Sequence, residues 1–253
     1  MKRLMTAALL VVALTGCTRH YQVVSVERTR TLIDSRYDAR VSEATVAYLA
    51  PYKQKVDSLM APVVGRADVN MAADRPEAPL SNLLPDILMW ASADYGEKPD
   101  FAVYNIGGMR AAFSKGEVTI GDVNEVAPFD NKICFLTLSG EEVKELFGQI
   151  AARGGEGVSH GVELAITKGR TLSSARLNGE PIEPGRDYRL ATIDYLLPGA
   201  DGMTAFKKGR NIVSPQTEQN NTRFIIMDYF RHMAAQGKGV SAKVEGRVVV
   251  VEE

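Results

Sequence analysis

The sequence FAVYNIGGMR at residues 101–110 combines a short apolar run with a glycine pair. The run Phe101–Tyr104 is typical of a buried strand, and the glycines that follow it indicate a turn. Paired glycines let a backbone approach a ligand closely, and Arg110 offers a forked donor for phosphate or carboxylate. By itself the stretch has two interpretations: a ligand-binding loop, or a glycine turn that carries a surface arginine.

Helices are predicted before this strand. Apolar residues recur at the spacing of one helix face at positions 52, 56, 59, 60 and 63, with Pro51 beginning or kinking that helix. A second helix face is formed by positions 80, 83, 84, 87, 88 and 91. Residues 70–79 between the two faces are polar and contain prolines, which favours a loop.

Strands and helices mix after residue 110. Strands are predicted at 133–138, 162–166, 172–177, 188–197 and 246–251, with an Asn-Gly turn at 178–179. Ser139 with Glu142 forms a capping box that opens a helix, and residues 222–235 form the last helix. This order predicts an α+β fold, in which helices flank a mixed β-sheet.

Two further loops carry residues that are hard to explain by packing. In PFDN at 128–131, Phe129 lies in a turn, where it either stacks on a planar ligand or folds back into the core. In YLLPGADG at 195–202, a strand ends in Tyr195 and a glycine-rich loop presents Asp201. That carboxylate either accepts hydrogen bonds from a pair of ribose hydroxyls or belongs to an Asp-Gly turn without a ligand.

The three loops in this order resemble the C-terminal, nucleotide-recognition domain of the 5'-nucleotidases. The shared pattern is N-x-G-G-x-R, then P-F-x-N, then an aromatic residue before G-x-D-G. PLSNLL at 79–84 is similar to the helix that opens that domain, and NGEP at 178–181 is similar to one of its turns. The resemblance runs from about residue 66 to residue 251 and implies a 5'-nucleotidase C-terminal domain-like fold.

The resemblance implies a role in nucleoside binding for seven residues. Phe129 and Tyr195 would sandwich the base, while Asp201 would hold the ribose hydroxyls. The other four would contact the base or sugar (Asn105), face the sugar–phosphate (Arg110) or line the pocket (Asn131 and Gly155).

The chain departs from the family pattern at a few positions. PLSN at 79–82 lacks an arginine that the family often carries at the start of the opening helix, which weakens the expected hold on phosphate. Tyr195 stands where phenylalanine is usual, Ala200 replaces a glycine, and Met203 follows where an aromatic residue is common.

The resemblance does not extend to the metal-bearing domain of the family. Full-length members cut phosphate esters with two metal ions, a chemistry that needs several His, Asp and Asn ligands. The three histidines, His20, His160 and His232, show no Asp-x-His pair and no Gly-Asn-His-Asp run. We therefore expect no catalytic residue, no metal ligand and no cofactor in this chain, and divalent metals only in a partner chain.

Two functions of different class follow from these expectations. In the first, the chain is the nucleotide- or nucleoside-recognition subunit of a split phosphohydrolase, and a separate metallophosphoesterase chain supplies the metals. In the second, it is a non-catalytic nucleotide- or nucleoside-binding lipoprotein. A scaffold with a vestigial pocket is a third, weaker option. The net charge of −1 argues against a nucleic-acid polymer as partner.

The N-terminus predicts export and a lipid anchor. Lys2 and Arg3 precede a short apolar run, and LTGC at 14–17 resembles a bacterial lipobox, which implies cleavage before Cys17 and its lipidation. The alternative is an ordinary signal peptide with an incidental cysteine. Cys134, in an apolar run, is expected to be a buried structural thiol.

The predicted organisation is a signal peptide at 1–16, a lipidated tether at 17–36, a helical lead-in at 37–65 and the 5'-nucleotidase C-terminal-like domain at 66–253. The predicted location is the bacterial cell envelope.

Overall fold

A computed structural model of the chain describes residues 23–36 and 42–252. Internal contacts divide the chain after Ala50. Residues 23–36, which belong to the predicted tether, are exposed and have little regular structure. The predicted signal peptide and Cys17 lie outside the described residues.

Five α-helices lie within the described ranges. The helix predicted from positions 80–91 is confirmed, and its six apolar positions are all buried. Ser139 and Glu142 form the predicted capping box, because each side chain bonds to the backbone N–H of the other. The helices are α1 (Glu43–Met60), α2 (Pro79–Ala91), α3 (Ile120–Val126), α4 (Gly140–Ala152) and α5 (Thr222–Ala235).

The first helix differs from its prediction. It ends at Met60, and Val63, which was expected on its face, begins a strand instead. Pro62 explains the boundary, since a proline disfavours helical backbone in the residue before it and cannot donate a hydrogen bond. Pro51 neither begins nor ends α1 but lies inside it. The residues of α1 are exposed apart from its last one.

Eleven strands are present in the same ranges, and they form three sheets. β1 pairs with β3, the central sheet has the order β10-β4-β9-β2-β5, and the third has the order β11-β6-β7-β8. The strands are β1 (Val63–Ala67), β2 (Phe101–Tyr104), β3 (Gly116–Thr119), β4 (Ile133–Ser139), β5 (Gly157–Val158), β6 (Val162–Thr167), β7 (Leu172–Leu177), β8 (Glu180–Pro181), β9 (Asp187–Ile193), β10 (Arg210–Val213) and β11 (Val248–Val251).

The central sheet is mixed, as the predicted fold class requires. β2 runs parallel to β9, whereas β4 runs antiparallel to both β9 and β10. α2 packs against β2 and β5, and α4 packs against β4, β6 and β7. All four residues of β2 are buried, because the strand lies inside the sheet. The core therefore lies between the central sheet and its helices.

Cys134 on β4 is fully buried, which confirms its predicted place in the core. Burial raises the pKa of its thiol well above the ordinary value, because the thiolate would lose its hydration. The thiol therefore stays protonated at neutral pH.

The strand predicted at 188–197 is shorter than expected. β9 ends at Ile193, and residues Asp194–Leu196 form a 3-10 turn. The last ladder pair joins Ile133 to Ile193, and the Asp194 carboxylate then accepts a hydrogen bond from the Lys132 N–H at 3.0 Å. Tyr195 therefore lies in a turn after the strand rather than on the strand.

Candidate ligand-binding site

Three loops meet at one edge of the central sheet. Because β2 and β9 are parallel neighbours, both strands end at this edge. β4 is antiparallel to β9 and therefore begins there. Asn105 follows β2, Tyr195 follows β9, and Phe129 precedes β4. The sheet topology thus brings together three segments that are far apart in the chain.

The loops surround a half-open cleft of about 350 Å³. Six of the seven residues predicted to bind a nucleoside line it. The lining residues are Asn105, Gly107, Gly108, Arg110, Phe129, Asn131, Tyr195 and Asp201.

The rings of the cleft differ from the aromatic residues of the core. Phe129 and Tyr195 are each 43% exposed, whereas Tyr104 on β2 and Phe135 on β4 are buried. The alternative that Phe129 folds back into the core is therefore wrong. Exposed rings provide flat apolar surfaces on which a planar ligand can stack.

Asn105 and Asp201 form the polar side of the cleft. The Asn105 amide donates from Nδ2 to the Asp201 carboxylate at 2.7 Å. Asn105 is buried, and its Oδ1 has no hydrogen-bond partner among the described residues. A buried acceptor without a hydrogen-bond partner is costly.

The loop around Asp201 has an unusual backbone. Asp201 has φ +56°, in the left-handed region, and so do the glycines Gly199 and Gly202. A non-glycine residue in this region is uncommon and needs support from its surroundings. The backbone carbonyl of Asp201 accepts a hydrogen bond from Arg153 Nη1 at 2.8 Å, which provides part of that support.

Arg110 lies at the exposed rim. Its guanidinium donates to the Gly107 carbonyl at 3.2 Å and lies 5.5 Å from the centroid of the Phe129 ring. This distance is that of a cation–π contact. The arginine therefore places positive charge beside the aromatic ring, where an anionic group of a ligand would be attracted.

The Phe129 loop is held from behind by α5 and by Lys132. Asn221 donates to the Asp130 carboxylate, and Arg223 donates to the Pro128 carbonyl at 3.2 Å. The bond from Lys132 and then the bond from Asn221 lower the pKa of Asp130 below its ordinary value. The carboxylate that anchors the loop thus remains ionised at neutral pH.

Asn131 shares this anchoring. Its carbonyl accepts the N–H of Thr222 at 2.9 Å, at the first turn of α5, and the residue lines the cleft as predicted.

Gly155 is the predicted residue that the structure does not bring into the cleft. It is buried behind the polar side with φ +112°, and its carbonyl accepts a hydrogen bond from Arg75 Nε at 2.9 Å. A Cβ at this position would lie 2.4 Å from the Pro76 carbonyl oxygen. Glycine is therefore needed here for packing.

Sequence reasoning missed the next residue, Glu156. Its carboxylate is buried and accepts hydrogen bonds from Arg75, Arg153 and the Ile106 N–H, the last at 2.6 Å. Burial by itself disfavours the charged form of Arg153, but the bond to Glu156 and the charges of Glu156 and Asp201 raise its pKa overall. The available signal was a single carboxylate between two glycines, in GEG at 155–157.

The histidines at 160 and 232 lie away from the cleft. His160 is bonded to Glu245, and the ring of His232 packs beside Trp90. Within residues 23–36 and 42–252, no three His, Cys, Asp or Glu side chains are grouped so as to hold a metal ion. In the same ranges, no helix has both the length and the apolar character needed to cross a bilayer.

These features define an α+β domain with a small cleft that is lined by two half-exposed aromatic rings, an amide and a carboxylate. Residues 63–208 match the family model described as 5'-nucleotidase, C-terminal domain. Because the match covers more than half of the chain, the chain belongs to the 5'-nucleotidase family and contains its C-terminal domain.

Individual relatives agree with this assignment. Protein UshA of Yersinia enterocolitica is 28% identical over 158 residues, which are 61% of this chain and 28% of that protein. Cell wall protein Lmo0130 of Listeria monocytogenes is 27% identical over 197 residues, 71% of this chain and 24% of that protein. The chain therefore spans about a quarter of the length of these curated relatives.

A solved structure is also similar. The 5'-nucleotidase precursor from Thermus thermophilus superposes with a TM-score of 0.68 at 28% identity, over 83% of this chain and 43% of that one. The predicted fold class, a mixed sheet flanked by helices, is confirmed.

Proposed function

We propose that this chain recognises nucleotides or nucleosides for a 5'-nucleotidase-type phosphohydrolase of the cell envelope. The observation that carries the proposal is the convergence of Phe129, Tyr195 and Asp201 on one cleft. Two half-exposed rings suit a base, and a carboxylate suits the adjacent hydroxyls of a ribose. The volume of the cleft is at the lower end of the range for small-molecule sites, as a nucleoside-sized ligand requires.

The other lining residues have roles consistent with such a ligand. Asn105, which lines the cleft, would hydrogen-bond the base or sugar. Arg110 would face the sugar–phosphate from the rim, and Asn131 would border the slot. Gly155 would support the polar side of the cleft from behind and would not contact the ligand. These roles leave the reacting phosphate at the open side of the cleft.

The catalytic metals would come from a separate metallophosphoesterase chain, as the departure from the full-length family pattern suggests. This chain would then raise the rate by orienting the substrate, since holding reactants in a productive geometry lowers a barrier by several kcal/mol. The name of the Thermus thermophilus neighbour, a 5'-nucleotidase precursor, supports a phosphohydrolase context. The second candidate is nucleotide or nucleoside capture without turnover, which the same cleft would serve.

The proposed location is the bacterial cell envelope, periplasmic or at the outer membrane or surface, with the chain anchored by a lipid on Cys17. The lipobox-like LTGC at 14–17 supports the anchor. The similarity to a cell wall protein of Listeria monocytogenes supports an envelope location.

Titration calorimetry with adenosine and AMP tests the recognition function. We expect saturable binding that Phe129→Ala and Asp201→Ala each weaken. Asp228→Asn, a change on the exposed side of α5 away from the cleft, serves as the control and should bind as the parent does. An absence of heat at millimolar ligand would overturn the proposal.

Phosphate release from AMP separates the two candidate functions. The purified chain with Mg²⁺, Mn²⁺ or Zn²⁺ should release none, whereas addition of a metallophosphoesterase encoded beside its gene should give turnover that Phe129→Ala reduces. If the rate of phosphate release is the same with the Phe129→Ala variant as with the parent chain, capture without catalysis is favoured.

A further inference from the structure

A buried carboxylate connects two loops of the cleft. Glu156 lies behind the polar side, where its side chain is fully buried. Its Oε2 accepts the N–H of Ile106, the first residue after Asn105. Its Oε1 accepts from two guanidinium groups, those of Arg75 and Arg153. A buried charge is tolerated only when it is paired and hydrogen-bonded, and Glu156 meets this condition.

Arg153 extends this connection to Asp201. Its Nη1 donates to the Asp201 carbonyl at 2.8 Å, and its Nη2 lies 3.6 Å from the Asp201 Oδ1. Asn105 donates to the other carboxylate oxygen, Oδ2. The Asp201 carboxylate is thus approached by a cation at one oxygen and an amide at the other. This arrangement fixes the plane of the carboxylate.

The same bonds fix the backbone of the loop. Asp201 occupies the left-handed region, which is unfavourable for a residue with a Cβ, and the bond from Arg153 to its carbonyl holds that conformation. Arg153 is itself oriented by Glu156, three residues along the chain. Glu156 therefore reaches both Asn105 and Asp201 without lining the cleft.

We propose that Arg153 and Glu156 are positioning residues for the sugar subsite, and that they act through Asp201. The proposal rests on the function proposed above, in which the Asp201 carboxylate accepts hydrogen bonds from the two ribose hydroxyls. A planar acceptor binds two adjacent hydroxyls well only if its orientation is held, because small misplacements weaken directional hydrogen bonds steeply. Arg153 and Glu156 supply this orientation before a ligand arrives.

The test compares adenosine with 2',3'-dideoxyadenosine, which has the same base but lacks both hydroxyls. Calorimetry would be performed with the full chain and the variants Arg153→Met and Glu156→Gln. Arg186→Met is the matched control, since Arg186 forms an ion pair with Asp100 away from the cleft. We expect both test variants to weaken adenosine binding about tenfold or more and to leave dideoxyadenosine within about twofold.

The double variant Arg153→Met, Asp201→Ala adds a second readout. Because Arg153 acts through Asp201, the double variant should bind adenosine no more weakly than Asp201→Ala does. If Glu156→Gln fails to fold, Arg153→Met decides the outcome, because its side chain is 30% exposed and tolerates replacement better.

If Arg153→Met and Glu156→Gln weaken the binding of both nucleosides equally, the two residues have a general structural role and the proposal is overturned. A loss for AMP with none for adenosine would also overturn it, since Arg153 would then contact phosphate directly. If the parent chain binds the two nucleosides equally, the role of Asp201 in the proposed function fails. That result is distinct from failure of Arg153 and Glu156 to act through Asp201.

Discussion

The two sides of the cleft are built differently. The aromatic side consists of Phe129 and Tyr195, whose rings are half-exposed, and the Phe129 ring is contacted by Arg110 at the rim. The polar side consists of Asn105 and Asp201, whose side chains bond to each other. It is supported from behind by Glu156 and Arg153, within a continuous set of hydrogen bonds.

This difference indicates a division of roles. Stacking on a ring accepts any base, so the aromatic side contributes affinity with little selectivity. A buried site arranged to bond a hydroxyl rejects a ligand that lacks it, because its polar groups are left unpaired. The polar side should therefore determine which sugar is accepted.

Removal of both rings should have the largest effect. Each stacked ring contributes about 1–3 kcal/mol, so Phe129→Ala with Tyr195→Ala should reduce affinity well over tenfold. The division of roles predicts the same factor for adenosine and dideoxyadenosine, as measured by calorimetry. The conservative variant Tyr195→Phe retains the ring and should bind almost normally. A ring variant that loses more affinity for one of the two ligands would contradict this division of roles.

Gly155→Ala should disturb the polar side from behind. The new Cβ would meet the Pro76 carbonyl, and the backbone is in a region that favours glycine. We expect a loss of about 1–3 kcal/mol in the free energy of unfolding, measured by urea denaturation. Gly148→Ala on α4 is the control, because nothing lies within 4 Å of its new Cβ. This variant should have a slightly higher free energy of unfolding than the parent chain. Equal stability of the two variants would contradict the packing role of Gly155.

Asp201→Asn should affect only one class of ligand. The amide keeps the shape of the side chain but loses the charge and one acceptor, so adenosine should bind about tenfold more weakly. Dideoxyadenosine should bind as before. Competition between the two nucleosides for each protein provides the measurement, and a parallel loss for both would remove the proposed selectivity of the polar side.

Asp130→Asn should have the smallest effect, confined to the aromatic side. The pKa of Asp130 is lowered in the folded chain, so its bonds stabilise the fold above the unfolded pKa of about 3.9. That contribution disappears as the pH falls through the lower folded value. Urea denaturation should show a slightly lower free energy of unfolding for the variant at neutral pH and no difference at a pH below the folded pKa. A deficit independent of pH would contradict this account.

Local sequence patterns predicted much of the fold. The six apolar positions of α2 and the capping box at Ser139 are local features, and both are present as expected. The prediction at Val63 was wrong because periodicity ignores Pro62, and strand pairing with Thr119 determines the conformation there. Strand order could not be read from these patterns, since pairing between distant segments depends on tertiary contacts.

The site was predicted by a different route. Phe129, Tyr195 and Asp201 were identified from the resemblance to the family, and the antiparallel pairing of β4 with β9 explains why their loops meet. Glu156 and Arg153 were missed because they act through other residues, and no local pattern marks a residue of that kind.

A crystal structure of the chain with adenosine bound would show directly whether the cleft holds a nucleoside. We expect the base between the Phe129 and Tyr195 rings, with the 2'- and 3'-hydroxyls hydrogen-bonded to the Asp201 carboxylate. Adenosine bound elsewhere, or bound in this cleft with its ribose turned away from Asp201, would contradict it.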